Sequence, residues 1–123
     1  MEYTLSLVRT LCETLDQKQI PWSLDTNANL YSSLGKWQKM GRGIGREHLS
    51  YLLEGLGRAD GRVTGSLHNL VSGQVRKTIL PNGYLIVADA SSPRVRQEAQ
   101  HLKNLTLAAV SIVSSVDGSF HRV

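Results

Sequence analysis

The sequence predicts a mainly helical α+β fold, and three observations carry that expectation. Apolar residues recur at helical spacing through most of the N-terminal half. Two β-prone runs flank a tight-turn tripeptide, Pro81-Asn82-Gly83. Val95, Leu102, Ala109 and Val116 recur every seven residues in the C-terminal third. With 123 residues, the chain is expected to form one domain over 1–123.

Leu5, Val8, Leu11, Cys12 and Leu15 share one helical face, and Pro21 closes a first helix over about 3–18. Leu30, Tyr31, Leu34 and Trp37 predict a second helix, capped near Asp25 or Thr26 and ended by Gly41, so that 1–41 is a pair of N-terminal helices. Gly41, Gly43 and Gly45 then form a loop, because each glycine costs a helix about 1 kcal/mol. A phosphate-cradling loop follows a strand and opens a helix; with a helix expected before it, this one is not expected to bind a nucleotide. Leu49, Leu52, Leu53 and Leu56 mark a short helix from Arg46 to Gly57, and Arg58-Ala59-Asp60-Gly61 a turn. Val63, Leu67, Leu70 and Val71 mark a helix over 62–72, and Val75–Leu80 with Tyr84–Ala88 a hairpin. Ser92 before Pro93 starts a last helix over about 92–116, whose seam of Val95, Leu102, Leu105, Ala109 and Ile112 is the expected interface of a homodimer. The competing reading of its end is a β-branched strand from Val110, turned back through Asp117-Gly118 to Phe120.

Several function classes fall on composition. The stretch Leu105 to Val113 is far short of the roughly 20 residues that span a bilayer, so no membrane partner is expected. Cys12 is the single cysteine and reads as a small core residue; a cytoplasmic setting follows, without a structural metal or a cofactor. The net charge is +4, and its placement is uneven: Lys36 to Lys77 holds eight basic residues against three acidic ones. Such a segment is the footprint expected for a polyanion, since each phosphate contact releases counterions.

Helix, short turn, helix and hairpin in that order, with Leu52-Leu53 and Leu56-Gly57 before the turn, Val63-Thr64 with Leu67 and Leu70 after it, and Gly73-Gln74-Val75 leading to the hairpin, resemble the winged helix-turn-helix superfamily over residues 46–88. The resemblance implies double-stranded DNA as partner and a role as a transcriptional or replication regulator. With the apolar stripe of helix 62–72 turned inward, Arg62, Thr64, Ser66 and Asn69 face the major groove, where Arg pairs with guanine and Asn with adenine. Arg46, Arg58, Arg76 and Lys77 complete the expected DNA-binding set.

Leu53-Glu54-Gly55-Leu56-Gly57-Arg58-Ala59-Asp60-Gly61 also resembles the signature of LAGLIDADG homing endonucleases at six of nine positions. That resemblance implies Asp60 as a metal-binding carboxylate at a helix-helix interface for phosphodiester cleavage. A non-enzymatic protein-interaction module is the third reading. Outside Asp60 no catalytic residue is expected, and an enzyme is not the favoured class.

Overall fold

The computed structural model describes residues 2–60, 62, 65–77 and 81–123, with the backbone alone for Glu2. The fold is α+β, with four helices and two small sheets among the described residues. The chain divides into two compact units, Met1–Gly65 and Ser66–Val123.

In the first unit, helix α1 (Glu2–Gln17) is followed by an antiparallel ribbon of β1 (Trp22–Ser32) and β2 (Gly35–Gly43), then by helix α2 (Arg46–Gly57). The expected second helix over 25–41 is therefore a correction: those residues are strands. Leu30, Tyr31, Leu34 and Trp37 have the spacing of a helical face, but Leu30 lies opposite Trp37 and Tyr31 opposite Lys36 across the ladder. Ser33 and Leu34 make the turn, and Gly35 at φ +116° supplies the left-handed backbone its exit requires. The core is formed where Trp22 and Met40 of the ribbon meet Cys12 of α1 and Leu52 of α2, all at most 6 % exposed. Burying Leu52 completely contributes about 1.5–3 kcal/mol. Trp37 stacks on Tyr51 at 5.0 Å and lies so close to Gly55 that a side chain there would overlap the indole. Burial and the neighbouring Glu13 push the Cys12 thiol up to about 12, so it is an inert core residue.

The second unit comprises α3 (Leu67–Val75), β3 (Gly83–Ala88), α4 (Pro93–Thr106), β4 (Ala109–Ser114) and β5 (Phe120–Arg122). β3 and β4 pair in parallel with α4 as the crossover, and β5 returns antiparallel to β4. Ile86, Val110 and Ile112 pack with Val71 of α3 and with Ala99 and Leu102 of α4. Ser92 caps α4 with its hydroxyl on the Val95 N–H, and Pro93 occupies the first turn, as the sequence implies.

Three further expectations are corrected. Helix 62–72 begins only at Leu67, capped by Ser66, so eight residues beyond Arg58 separate α3 from α2 and the two helices belong to different units. Val75 is the last residue of α3 and β3 pairs in parallel with β4, so the hairpin of Val75–Leu80 on Tyr84–Ala88 is not what the described residues form; Thr78, Ile79 and Leu80 lie outside them. The helix expected over 92–116 ends at Thr106, and the β-branched run from Val110 is a strand. Val95 and Leu102 consequently face the core of their own unit, Ile112 is buried in the sheet, and Leu105 and Ala109 lie on different elements, so the seven-residue seam is not a continuous face.

Candidate nucleic-acid interface

The glycine-rich segment Gly41-Arg42-Gly43-Ile44-Gly45 has the context that the sequence did not predict for it. It leaves strand β2 and opens helix α2. Gly45 stands at the N-cap with φ +105°, a conformation that side chains rarely adopt, and no side chain caps the helix. The first-turn N–H groups of an α-helix have no partner within the helix, and its dipole favours negative charge there. One carboxylate already uses this preference: Asp16 Oδ1 accepts from the Gly45 N–H at 2.8 Å. An open cleft of about 500 Å³ lies alongside, lined by Met40 to Ile44 with Glu47, His48 and Tyr51. Its wall is built by close approach. The His48 ring tilts against Trp22 at 4.2 Å, its Nε2 is 3.0 Å from the Trp22 carbonyl, and a Cβ at Gly43 would stand 2.7 Å from Nδ1.

Cations lead into this junction. Lys36, Lys39, Arg42 and Arg46 are exposed, and none forms an ion pair among the described residues. Between Asp25 and Glu47 the sequence contains no carboxylate. Asp25 is the acidic residue of the ribbon, opposite Lys39 in the ladder. Two register shifts, between Trp22 and Leu24 and between Asp25 and Leu30, interrupt the strict alternation of the strands. Lys39 and Arg42 thus stay in water while Met40 between them is buried.

The residues expected to bind DNA are not gathered in one place. Arg46 begins α2 and Arg58 caps its other end, about 18 Å away for a helix of 12 residues, where it pairs with Glu54 at 3.3 Å. Arg62 is on no helix; its N–H donates to Asp60 Oδ1 and its carbonyl accepts from Asn29. Ser66 is occupied as the cap of α3, accepting from the Asn69 N–H at 3.3 Å. Asn69 itself is exposed, and Arg76 and Lys77 follow α3 in the second unit. Thr64 lies outside the described residues. Lys36, Lys39 and Arg42 belong to the basic window, but Lys36 and Lys39 stand on a segment expected to be helical and Arg42 on the loop expected after it; the turn residues Ser32-Ser33 and Gly35 were the signal that could have placed them on a ribbon.

Asp60 is a structural clamp. Its Oδ2 accepts from the Tyr31 hydroxyl at 2.6 Å and its Oδ1 from the Arg62 N–H at 2.8 Å, straps that hold the chain after α2 onto β1. The Tyr31 hydrogen bond, and then that of the Arg62 N–H, hold its carboxyl below the usual range. It lies past the end of α2 and against the ribbon, not at a helix-helix interface as the endonuclease resemblance implies. No group of three or more His, Cys, Asp and Glu among the described residues could hold a metal.

The second unit gathers polar residues at the carboxyl end of its parallel strands, where open α/β sheets place ligands. After β3, Asp89 accepts from the Ser91 N–H and hydroxyl; after β4, Asp117 does the same with Ser119. Ser119 Oγ is also 2.7 Å from His121 Nε2, the separation of a nucleophile and its base. Proton counting decides against that role. The hydroxyl has one proton, and Asp117, whose carboxyl is held low first by this same hydroxyl, takes it at 2.6 Å. While that bond is made, Ser119 Oγ can only accept from His121 Nε2, which takes the Nε2-protonated ring and not the base form that would activate the serine. His68 Nδ1 lies 2.9 Å from Glu98 Oε1, a pairing 30 residues apart in sequence that spacing alone does not show.

No helix of the described residues is long and apolar enough to cross a membrane. No protein-family model, curated protein or solved structure matches the chain.

Proposed function

We propose that the protein binds duplex DNA through the β1–β2 ribbon and the start of α2, with the phosphate backbone as the primary contact. The observation that supports this most is the set of four exposed cations, Lys36, Lys39, Arg42 and Arg46, none in an ion pair among the described residues, on a stretch of sequence without a carboxylate that leads to the start of α2, where Asp16 already occupies the Gly45 N–H. A two-stranded ribbon is narrow enough to enter a major groove. Lysine and arginine side chains and helix N-termini are the groups that contact phosphate oxygens. The reading keeps the partner that the charge pattern suggests and moves the interface from helix 62–72 to the ribbon. A regulatory role in transcription or replication is the process such a protein would serve.

If four phosphates are contacted, the log–log dependence of affinity on salt has a slope of about −3.6, roughly a 150-fold loss between 50 and 200 mM. Lys36→Ala, Lys39→Ala and Arg42→Ala together should reduce that slope by about 2.7. Arg94→Ala with Arg96→Ala, in the second unit, should leave it unchanged. Anisotropy titrations of a labelled duplex measure both. Absence of binding at 50 mM salt, or an unchanged slope in the triple variant, rejects the proposal.

A further inference from the structure

Leu34 has no structural use for its side chain. It is 94 % exposed, the most exposed of the large apolar residues described, and it occupies the turn that joins β1 to β2. The turn is held by other groups: Gly35 supplies the positive φ, and the Leu34 N–H, not its side chain, donates to Ser32 Oγ at 3.2 Å. Turns of this kind favour small polar residues, so a leucine here places a naked isobutyl group in water at the outermost point of the ribbon.

The residues behind it define what that group meets. On a strand rising about 3.3 Å per residue, Lys36 follows roughly 7 Å behind the tip, Lys39 roughly 17 Å and Arg42 roughly 26 Å. Lys36 and Lys39, three residues apart, project from opposite faces of the ribbon, so a ligand that meets these cations surrounds the ribbon, as the walls of a groove do; it is a polyanion, and an apolar surface on it suits the tip. In a DNA duplex that surface is the face of a base, available once neighbouring bases unstack. We propose that Leu34 is a wedge that enters a base step and kinks the duplex, while the cations of β2 hold the flanking phosphates; this rests on the ribbon being the DNA-binding element. The wedge makes DNA deformability a source of specificity, with flexible pyrimidine–purine steps favoured over stiff A-tracts. An anionic bilayer offers charge and apolar depth too, but a single leucine buries far less than the myristoyl chain that alone gives only marginal anchoring.

The test uses the full chain and a 20-base-pair duplex with dyes at both ends and 2-aminopurine beside a central TA step. Wild type should shorten the end-to-end distance and raise 2-aminopurine emission, and should bind the TA duplex about tenfold more tightly than an A-tract duplex. Leu34→Ser should keep the salt slope but lose the bend, the emission change and the TA preference. Because the side chain is exposed, a melting curve matching wild type is expected for this variant. Binding without bending, or bending that survives Leu34→Ser, overturns the wedge and leaves the DNA-binding reading standing. No binding to any duplex at 50 mM salt overturns both. Binding to phosphatidylserine vesicles that depends on Leu34, without duplex binding, assigns the tip to a membrane surface instead.

Discussion

The two units treat their exposed residues differently although both are helices packed on a small sheet. The second unit carries more net charge, six basic against three acidic residues from Ser66 on, yet its cations fall in short pairs on separate elements: Arg76 and Lys77 follow α3, Arg94 and Arg96 stand on the first turn of α4, and Lys103 donates to the Val123 carbonyl. The first unit is closer to neutral over its length, with eight basic and seven acidic residues, but four of its cations follow one another along β2 and into α2 without a carboxylate between them. Net charge alone would select the second unit, whereas the interface proposed above lies in the first. What matters for a polyanion is the run of like charge on one element, because screening in salt leaves only nearby charges to act together.

The comparison can be broken most severely at the cores. Leu52 is fully buried in the first unit and Leu102 is 2 % exposed in the second. Each truncated to Ala should cost about 2–5 kcal/mol. Both tryptophans, Trp22 and Trp37, lie in the first unit, so their emission reports that unit alone. Leu52→Ala should lower the urea midpoint seen by tryptophan emission, whereas Leu102→Ala should lower the midpoint seen by far-ultraviolet dichroism and leave the tryptophan transition in place. A tryptophan transition that moves equally in both variants would show that the units unfold as one.

The sequence was most legible where local chemistry and periodicity agree. The apolar face of α1, the Arg46 to Gly57 span of α2 and the Ser92-Pro93 start of α4 are read correctly because each is decided within a turn or two of helix. It misled where spacing permits two periods. Leu30, Tyr31, Leu34 and Trp37 look like one helical face, but in the ribbon Leu34 is a turn residue and Leu30 meets Trp37 across the ladder, a pairing decided by long-range contact. The heptad of Val95, Leu102, Ala109 and Val116 failed for a related reason: it continues across the end of α4, and β-branching in Val110, Ile112 and Val113 favours a strand over the seam. The charge window was legible in full, while its placement on a ribbon depended on the misread element. Reading a helix there also removed the strand that makes the glycine-rich junction meaningful.

A smaller effect is expected at the junction of α4 and β4. Leu107 adopts φ +57°, its N–H bonds to the Lys103 carbonyl, and its side chain is 89 % exposed. This is the left-handed helix terminus where glycine is favoured, and a Cβ there costs about 1–2 kcal/mol. Leu107→Gly removes that strain and no packing, but gains unfolded-state freedom worth about 0.5–1 kcal/mol in the opposite sense. The net expectation is a stabilisation between zero and about 1.5 kcal/mol, seen in the dichroism transition of the second unit; a loss of stability would mean that Leu107 makes contacts its exposure does not suggest.

The smallest effect belongs to the clamp of the first unit, and pH gives its sign. Accepting from the Tyr31 hydroxyl first, and from the Arg62 N–H next, lowers the Asp60 pKa, while donating to Asp60 raises that of Tyr31. A lowered carboxyl contributes stability above its unfolded value, near 4, and loses it as pH falls through the folded value. A raised phenol contributes below its unfolded value, near 10, and loses it as pH rises through the folded one. The clamp should therefore stabilise across the neutral range and fail at both extremes. Tyr31→Phe removes the hydrogen bond while keeping the ring, so the difference in urea midpoint between wild type and variant, read by tryptophan emission, should be greatest near pH 7 and shrink toward pH 3 and pH 11. A difference that stays constant over that range would mean that the tyrosine acts by packing alone and that the strap is held by the backbone bonds of Asn29 and Arg62.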